Sequence, residues 1–243
     1  MDTTTVFPLL LEVFKRNNTP ELRTDLLQIL IDLESFFIRR AVCQLTPKNY
    51  NRFFVDLIKE SRGTNDFTAA NIRSLLLKQR AEISRWPDDK EFKEAWLALP
   101  FYKRLKKART RMILEALERG LYTEKTEKVE IDRSLTVEHL MPQEWEKHWP
   151  LPTLPPGTVD DKWEYKAEKR RKDLLHSIGN LTLLTKALNP SVSNGPWEKK
   201  REKILEHSAL NLNRPLPDTW DESAIEKRSE QLFDLAARIW PHP

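Results

Sequence analysis

Apolar residues recur at spacings of three and four through the first half of the chain, and this period is typical of amphipathic α-helices. Gly120 is the expected end of the last helix, because glycine favours the position after a helix C-terminus. The apolar content is high enough to bury a core, so the sequence predicts a globular protein. The predicted helices cover residues 24–42, 49–62, 68–84, 88–99 and 102–120.

The pattern changes near residue 122, where short alternating segments replace the helical period. Residues 127–131 and 134–141 alternate as strands do, and residues 150–161 form a proline-rich loop. A basic helix, a turn with a strand and two more helices are predicted at 162–177, 178–185, 195–208 and 222–240. We therefore predict a mainly α chain with a small embedded strand–loop–strand–helix unit, an α+β arrangement. The predicted domains are a helical scaffold over 1–122 and a second domain over 123–243.

Cys43 is the only cysteine, so the chain can form neither an internal disulfide nor a cysteine-built zinc site. No window approaches 18 consecutive apolar residues, and no basic segment precedes the short apolar run near the start. These features predict a cytoplasmic protein with no membrane segment and no signal peptide.

Positive charge is concentrated in three stretches, 103–111, 169–172 and 199–203, within a chain of net charge +4. Such stretches can bind phosphate groups, or they can be solvated helix faces. The sequence alone leaves both interpretations open for each stretch.

The segments VEHLMP, GNLTLL and ALN resemble the HNH, or ββα-metal, nuclease motif. In that motif an acidic residue and a histidine end the first strand, an asparagine opens the second strand, and an asparagine or histidine follows. The matching residues are Glu138, His139, Asn180 and Asn189. Three of them also have a simpler interpretation. A histidine at a strand end, such as His139, is more often structural or exposed, and the Gly-Asn and Asn-Pro pairs that contain Asn180 and Asn189 are common in turns.

The wider pattern is similar to the C-terminal half of GmrSD-type restriction endonucleases, which are modification-dependent defence nucleases. The segments RRAVCQL, RWPDDKEF, VEHLMPQ, HSIGNLTLL and IEKRSEQLFDLAARIW carry this resemblance from about residue 25 to the end. It implies double-stranded phage DNA as substrate and an N-terminal nucleotide-hydrolysing sensor domain or subunit as partner. Only five glycines occur and none lies in a phosphate-binding GxxxxGK[ST] loop. We therefore expect the chain to be a C-terminal fragment or a separate nuclease subunit.

The resemblance implies a metal-dependent HNH DNA endonuclease of an antiviral restriction system. His139 is then the general base and Asn180 supports the site, while Glu138 and Asn189 bind Mg²⁺ or Mn²⁺. One such site attacks one strand, which predicts nicking. The residues expected to contact DNA phosphates are Lys199, Lys200, Lys169, Arg170, Arg171, Lys172 and His176.

Two departures from the motif stand out: Glu138 occupies a position that is often aspartate, and the CxxC pairs that staple many HNH units are absent. Two strands and a helix are too few to be stable alone, so flanking helices must hold the unit. The main alternative is a degenerate DNA-binding or partner-docking module. An RNA-directed nuclease is a further alternative, for which the chain carries no RNA-binding signature.

Overall fold

The computed structural model describes residues 4–16, 23–124, 135–154, 156–157, 159–188 and 194–243. Within these residues the chain is mostly helical with one small antiparallel sheet, which confirms the predicted mainly α, α+β class. The helices are α1 (Phe7–Arg16), α2 (Arg23–Val42), α3 (Tyr50–Thr64), α4 (Ala69–Leu77), α5 (Asp89–Ala98), α6 (Phe101–Arg104), α7 (Lys107–Gly120), α8 (Trp163–Leu174), α9 (Trp197–His207) and α10 (Glu222–Ile239). The strands are β1 (Thr136–His139) and β2 (Leu181–Leu184).

Two predicted helices differ from the observed ones. The helix predicted over 102–120 is divided into α6 and α7, because Leu105 between them is extended and buried. The helix predicted over 68–84 ends at Leu77. The strand predicted at 127–131 lies outside the described residues. None of the described helices is long and apolar enough to cross a lipid bilayer.

The structure divides into two compact units, Met1–Ala95 with Trp240–Pro243, and Trp96–Ile239. The predicted boundary at 122–123 therefore falls inside the second unit. The reason is a buried carboxylate on α7: Glu118 accepts hydrogen bonds from the backbone N–H groups of Asn211 and Leu212, both at 2.9 Å. These bonds tie α7 to the chain that follows the sheet.

Aromatic side chains form the centre of the first unit. Phe36 of α2 stacks on Phe53 of α3 with ring centroids 5.5 Å apart, and Trp86 meets Phe36 edge to face. All three rings are buried. The helical period of the sequence places Phe36 and Phe53 on the apolar stripes of their helices, so the predicted helices and the observed core agree there.

Arg40 of α2 is fully buried and organises the irregular segment that follows α4. Its guanidinium donates to the hydroxyl of Tyr50 at 3.0 Å. It also donates to four main-chain carbonyl groups, those of Thr46, Glu82, Ile83 and Arg85. Three of these carbonyl groups belong to residues 82–85, so the Arg40 side chain holds in place the irregular segment that replaces the end of the predicted helix.

Replacing Arg40 with methionine is expected to destabilise the protein by about 3 kcal/mol or more, because several buried carbonyl groups lose their donor. The matched control is Arg52→Met, whose side chain is 83% exposed and whose loss should cost less than about 0.5 kcal/mol. Urea unfolding followed by circular dichroism measures both. Equal unfolding midpoints for the two variants would contradict the role assigned to Arg40.

The second unit is built around the two-stranded sheet, in which Glu138 pairs with Thr182 and His139 with Leu181. Every residue of β2 is buried. Gly179, in the turn before β2, lies against α10, where a Cβ atom would come within 2.2 Å of the Ile225 carbonyl oxygen. Only glycine permits this close approach.

Arg228 of α10 holds the same turn from within the core. Its guanidinium donates to the carbonyl oxygens of Gly179 and Leu181, at 2.7 and 2.8 Å. The sheet is therefore fixed by the helix that closes the unit. This agrees with the expectation that two strands need flanking helices.

Candidate active site

Glu138 and His139 occupy the last two positions of β1, and their side chains point to opposite faces because successive residues of a strand alternate. The Glu138 side chain is 17% exposed. The His139 residue is only 4% exposed. The carboxylate thus reaches the surface and the imidazole is enclosed.

The His139 ring meets a second histidine. Its Nε2 atom lies 3.1 Å from Nδ1 of His176, which is buried between α8 and the turn before β2. Tyr102 of α6 completes the group, with its ring edge to face against His139 at 4.5 Å and parallel to His176 at 6.0 Å. The Tyr102 backbone N–H also donates to the His176 carbonyl oxygen. Three segments far apart in sequence therefore meet at this imidazole.

The pKa of His139 is lowered to about 3, first by burial and then by the neighbouring His176, Lys200 and Lys103. Burial and Lys103 also lower the pKa of His176. Both imidazoles are therefore neutral at neutral pH. A hydrogen bond between two neutral rings requires one ring to donate and the other to accept.

The side chain of Lys200, on α9, contacts the last two residues of β1. Its Nζ atom donates to the His139 carbonyl oxygen at 2.6 Å and pairs with Glu138 Oε1 at 3.3 Å. Burial lowers the pKa of Lys200, and the Glu138 carboxylate opposes that shift. The structure thus directs Lys200 inward to the strand, whereas Lys199 is exposed.

Asn180 uses its whole side-chain amide inside the unit. Its Oδ1 accepts from the Met141 backbone N–H at 2.7 Å and from the Trp220 indole at 3.1 Å. Its Nδ2 donates to the carbonyl oxygens of Met141 and Leu175, both at 2.9 Å. The amide fixes the chain that leaves β1 and the segment that carries His176. Asn189 lies outside the described residues.

The stretch 169–172 has mixed surroundings. Lys169 is exposed, Arg170 pairs with Glu226 at 2.7 Å, and Lys172 pairs with Glu168. Arg171 is buried. It pairs with Glu222 and donates to the carbonyl oxygens of Trp149 and Pro150. Its guanidinium thus holds the loop after β1 and is not at the surface.

A family model described as GmrSD restriction endonucleases, C-terminal domain, matches residues 86–235, more than half of the chain. The chain belongs to this family. No curated protein and no solved structure matches this chain. The GmrSD resemblance seen in the sequence is confirmed, and the matched residues include all of the segments that form the histidine pair.

Sequence patterns do not reveal that Tyr102 belongs to the candidate site of this GmrSD domain. Tyr102 precedes the basic stretch 103–111, whose charge is visible in the sequence, but nothing local indicates that α6 meets the end of β1. The packing of Tyr102 on His139 brings the exposed Lys103, Lys106 and Lys107 to the same end of the unit as His139.

Two other features lie apart from this group. A cavity of about 600 Å³ opens along α10 and is lined by residues such as Leu212, Trp220 and Leu235, and no predicted site residue lines it. Among the described residues, no three or more His, Cys, Asp and Glu side chains are grouped as metal ligands.

Replacing Asn180 with alanine is expected to destabilise the second unit by about 3 kcal/mol or more, because four buried partners lose their hydrogen bonds. Gln143→Ala, an exposed amide two residues beyond Met141, is the control and should change stability by less than about 0.5 kcal/mol. Thermal or urea unfolding measures the difference. Equal stabilities would show that the amide does not organise the unit.

Proposed function

We propose that this GmrSD-family domain is a metal-dependent HNH endonuclease that hydrolyses phosphodiester bonds in double-stranded DNA, one strand at a time. The observation that carries the proposal is the end of β1. There a neutral, enclosed imidazole and a partly exposed carboxylate occupy successive positions of the strand, and Asn180 lies in the turn just before the partner strand. A positioned histidine is the commonest general base, and a core strand needs neither a histidine nor a carboxylate.

In the proposed reaction His139 acts as the general base. The imidazole takes a proton from a water molecule, and the electron pair left on the water oxygen forms the new bond to phosphorus. The bond from phosphorus to the leaving sugar oxygen breaks, and that oxygen departs with its electron pair. Because the pKa of His139 is lowered, the ring is neutral at neutral pH, so one of its two nitrogens carries a proton and the other has a free electron pair.

Glu138 has the donor chemistry for a hard divalent cation. Mg²⁺ binds through one or two carboxylates and otherwise keeps water and phosphate oxygens, so a single partly exposed carboxylate fits it. Asn189 is proposed as the second oxygen donor. A bound Mg²⁺ or Mn²⁺ supplies charge neutralisation at the phosphate and at the leaving oxygen.

Lys200 is proposed to hold the strand end rather than the substrate. The hydrogen bond from Lys200 to the His139 carbonyl oxygen would keep the lysine in place even when the Glu138 carboxylate binds a metal ion. Asn180 is proposed to support the site in the same way, through the chain on either side of the two histidines.

DNA is proposed to contact the exposed lysines of α6 and α7 first. Lys103, Lys106 and Lys107 lie at the end of the unit where Tyr102 touches His139. Lys199 and Lys169 are exposed and are proposed to extend this surface. As the effector of an anti-phage restriction system, the domain is proposed to act with an N-terminal nucleotide-hydrolysing domain or subunit.

A degenerate DNA-binding or docking module is the second candidate. The pairing of Glu138 with Lys200 favours it, because an ammonium group can replace a metal ion as partner of a carboxylate. The two candidates differ in one measurement: a degenerate module binds DNA and leaves supercoiled plasmid intact in the presence of Mg²⁺ or Mn²⁺.

The His139→Ala variant is expected to nick supercoiled plasmid about 10²–10⁴-fold more slowly than the natural chain, because a positioned base is removed. His207→Ala, which removes a histidine side chain that is 55% exposed, is the control and should retain full activity. Conversion to open circles is measured with Mg²⁺, with Mn²⁺ and with EDTA, which should abolish it. Full activity of His139→Ala, or activity in EDTA, would refute the proposed chemistry.

Replacing Lys103, Lys106 and Lys107 with glutamine should weaken binding to two unrelated duplexes equally. The slope of log affinity against log salt should flatten by roughly 0.9 for each DNA phosphate that the variant no longer neutralises. The matched control replaces three exposed lysines of the first unit, Lys48, Lys59 and Lys90, and changes the net charge equally. Fluorescence anisotropy across a salt series measures both, and identical slopes would exclude α6 and α7 as the DNA-binding surface.

A further inference from the structure

We propose that His176 is a positioning residue, which accepts the Nε2 proton of His139 and thereby leaves Nδ1 of His139 as the atom that takes the proton from water. The inference rests on the proposed function and deepens it. It assigns His176 a task inside the site, in place of the phosphate binding that its sequence position suggests.

The geometry of the pair limits the proton to two places. The distance of 3.1 Å between His139 Nε2 and His176 Nδ1 is that of a hydrogen bond, and both residues are at least 95% buried. Either His139 donates from Nε2, or His176 donates from Nδ1. A neutral imidazole carries one N–H, so each choice also decides the state of the other nitrogen of His139.

Only the first arrangement gives a base. When Nε2 of His139 carries the proton, Nδ1 has a free electron pair for a proton from water. When His176 donates instead, His139 Nδ1 must carry the proton, and the ring has no electron pair left for water.

The surroundings also prevent the His139 ring from turning over. A half turn about its side-chain axis would place a carbon atom where Nε2 now meets His176, and the hydrogen bond would break. The Tyr102 ring, 4.5 Å from His139, closes another side of the imidazole. The His176 ring is in turn held parallel to Tyr102, with 15° between the two planes.

A purely structural role explains the buried contact between His139 and His176 less well. Two imidazoles enclosed in a core lose their hydration, and their mutual hydrogen bond only offsets part of that cost. Apolar side chains of similar size would fill the same space more favourably. The pair is therefore better explained by the need for one nitrogen of His139 to be protonated and the other free.

The test compares His176→Asn with His176→Leu. The asparagine side-chain oxygen can lie close to the position of Nδ1 and accept the same proton, whereas leucine has a similar volume and no acceptor. We expect His176→Leu to lower kcat for plasmid nicking roughly 10–100-fold with little change in KM, the usual effect of losing a partner that orients a catalytic group. His176→Asn should restore kcat to within a few-fold of the natural chain.

The tautomer of His139 is measured separately, by long-range ¹H–¹⁵N NMR correlation on the natural chain at neutral pH. We expect a protonated Nε2 and an unprotonated Nδ1, with the same pattern in His176→Asn and a mixture of tautomers in His176→Leu. A proton on Nδ1 in the natural chain would overturn the inference, as would an unchanged kcat in folded His176→Leu.

The NMR result distinguishes failure of this inference from failure of the proposed function, and it needs no folded variant. If His139→Ala nicks normally while Nε2 of His139 is protonated, the nuclease chemistry is wrong and the positioning by His176 stands. If His139→Ala is inactive while the proton lies on Nδ1, the general base stands and His176 does not position it.

Discussion

The side-chain amide of Asn180 is the point on which the second unit depends. An amide can accept through its oxygen and donate through both hydrogens, and Asn180 uses all of this capacity inside the protein. Its partners belong to the exit of β1, the segment after α8 and the indole of Trp220. Aspartate would present an oxygen to two carbonyl groups, and an apolar residue would leave every partner unpaired. One residue thus fixes where the chain leaves the sheet and where His176 lies.

The same principle recurs wherever the main chain is irregular. Long segments without helix or strand partners must bond their N–H and C=O groups to something, and here buried charged side chains take that place. Arg40 serves the first unit in this way, and Arg228, Arg171 and Glu118 serve the second. Each charge loses hydration on burial, and its several hydrogen bonds offset that loss. A chain with 32% charged residues can therefore still form compact cores.

Some residues of the candidate site lie in short motif segments of the sequence, and others come from helices distant in the chain. Glu138, His139 and Asn180 belong to two short segments whose motif and alternation are visible in the sequence, so their relation across the sheet could be predicted. The contact of Tyr102 with His139 and the inward bond of Lys200 to the strand could not be predicted in this way. These two residues come from α6 and α9, and their approach to β1 depends on how these helices pack around the sheet. No spacing in the sequence encodes such an approach.

The sequence by itself determined the helical period of the first half, the position of both described strands and the opposite orientation of Glu138 and His139. Each follows from local rules, a repeat of 3.6 residues or of two. The tertiary structure decided which nitrogen of His139 meets His176, and which basic residues are buried. Lys169 and Arg171 lie two positions apart on α8, yet one is exposed and the other is enclosed with Glu222. Burial and pairing depend on residues distant in the chain, and those partners become neighbours only when the chain has folded.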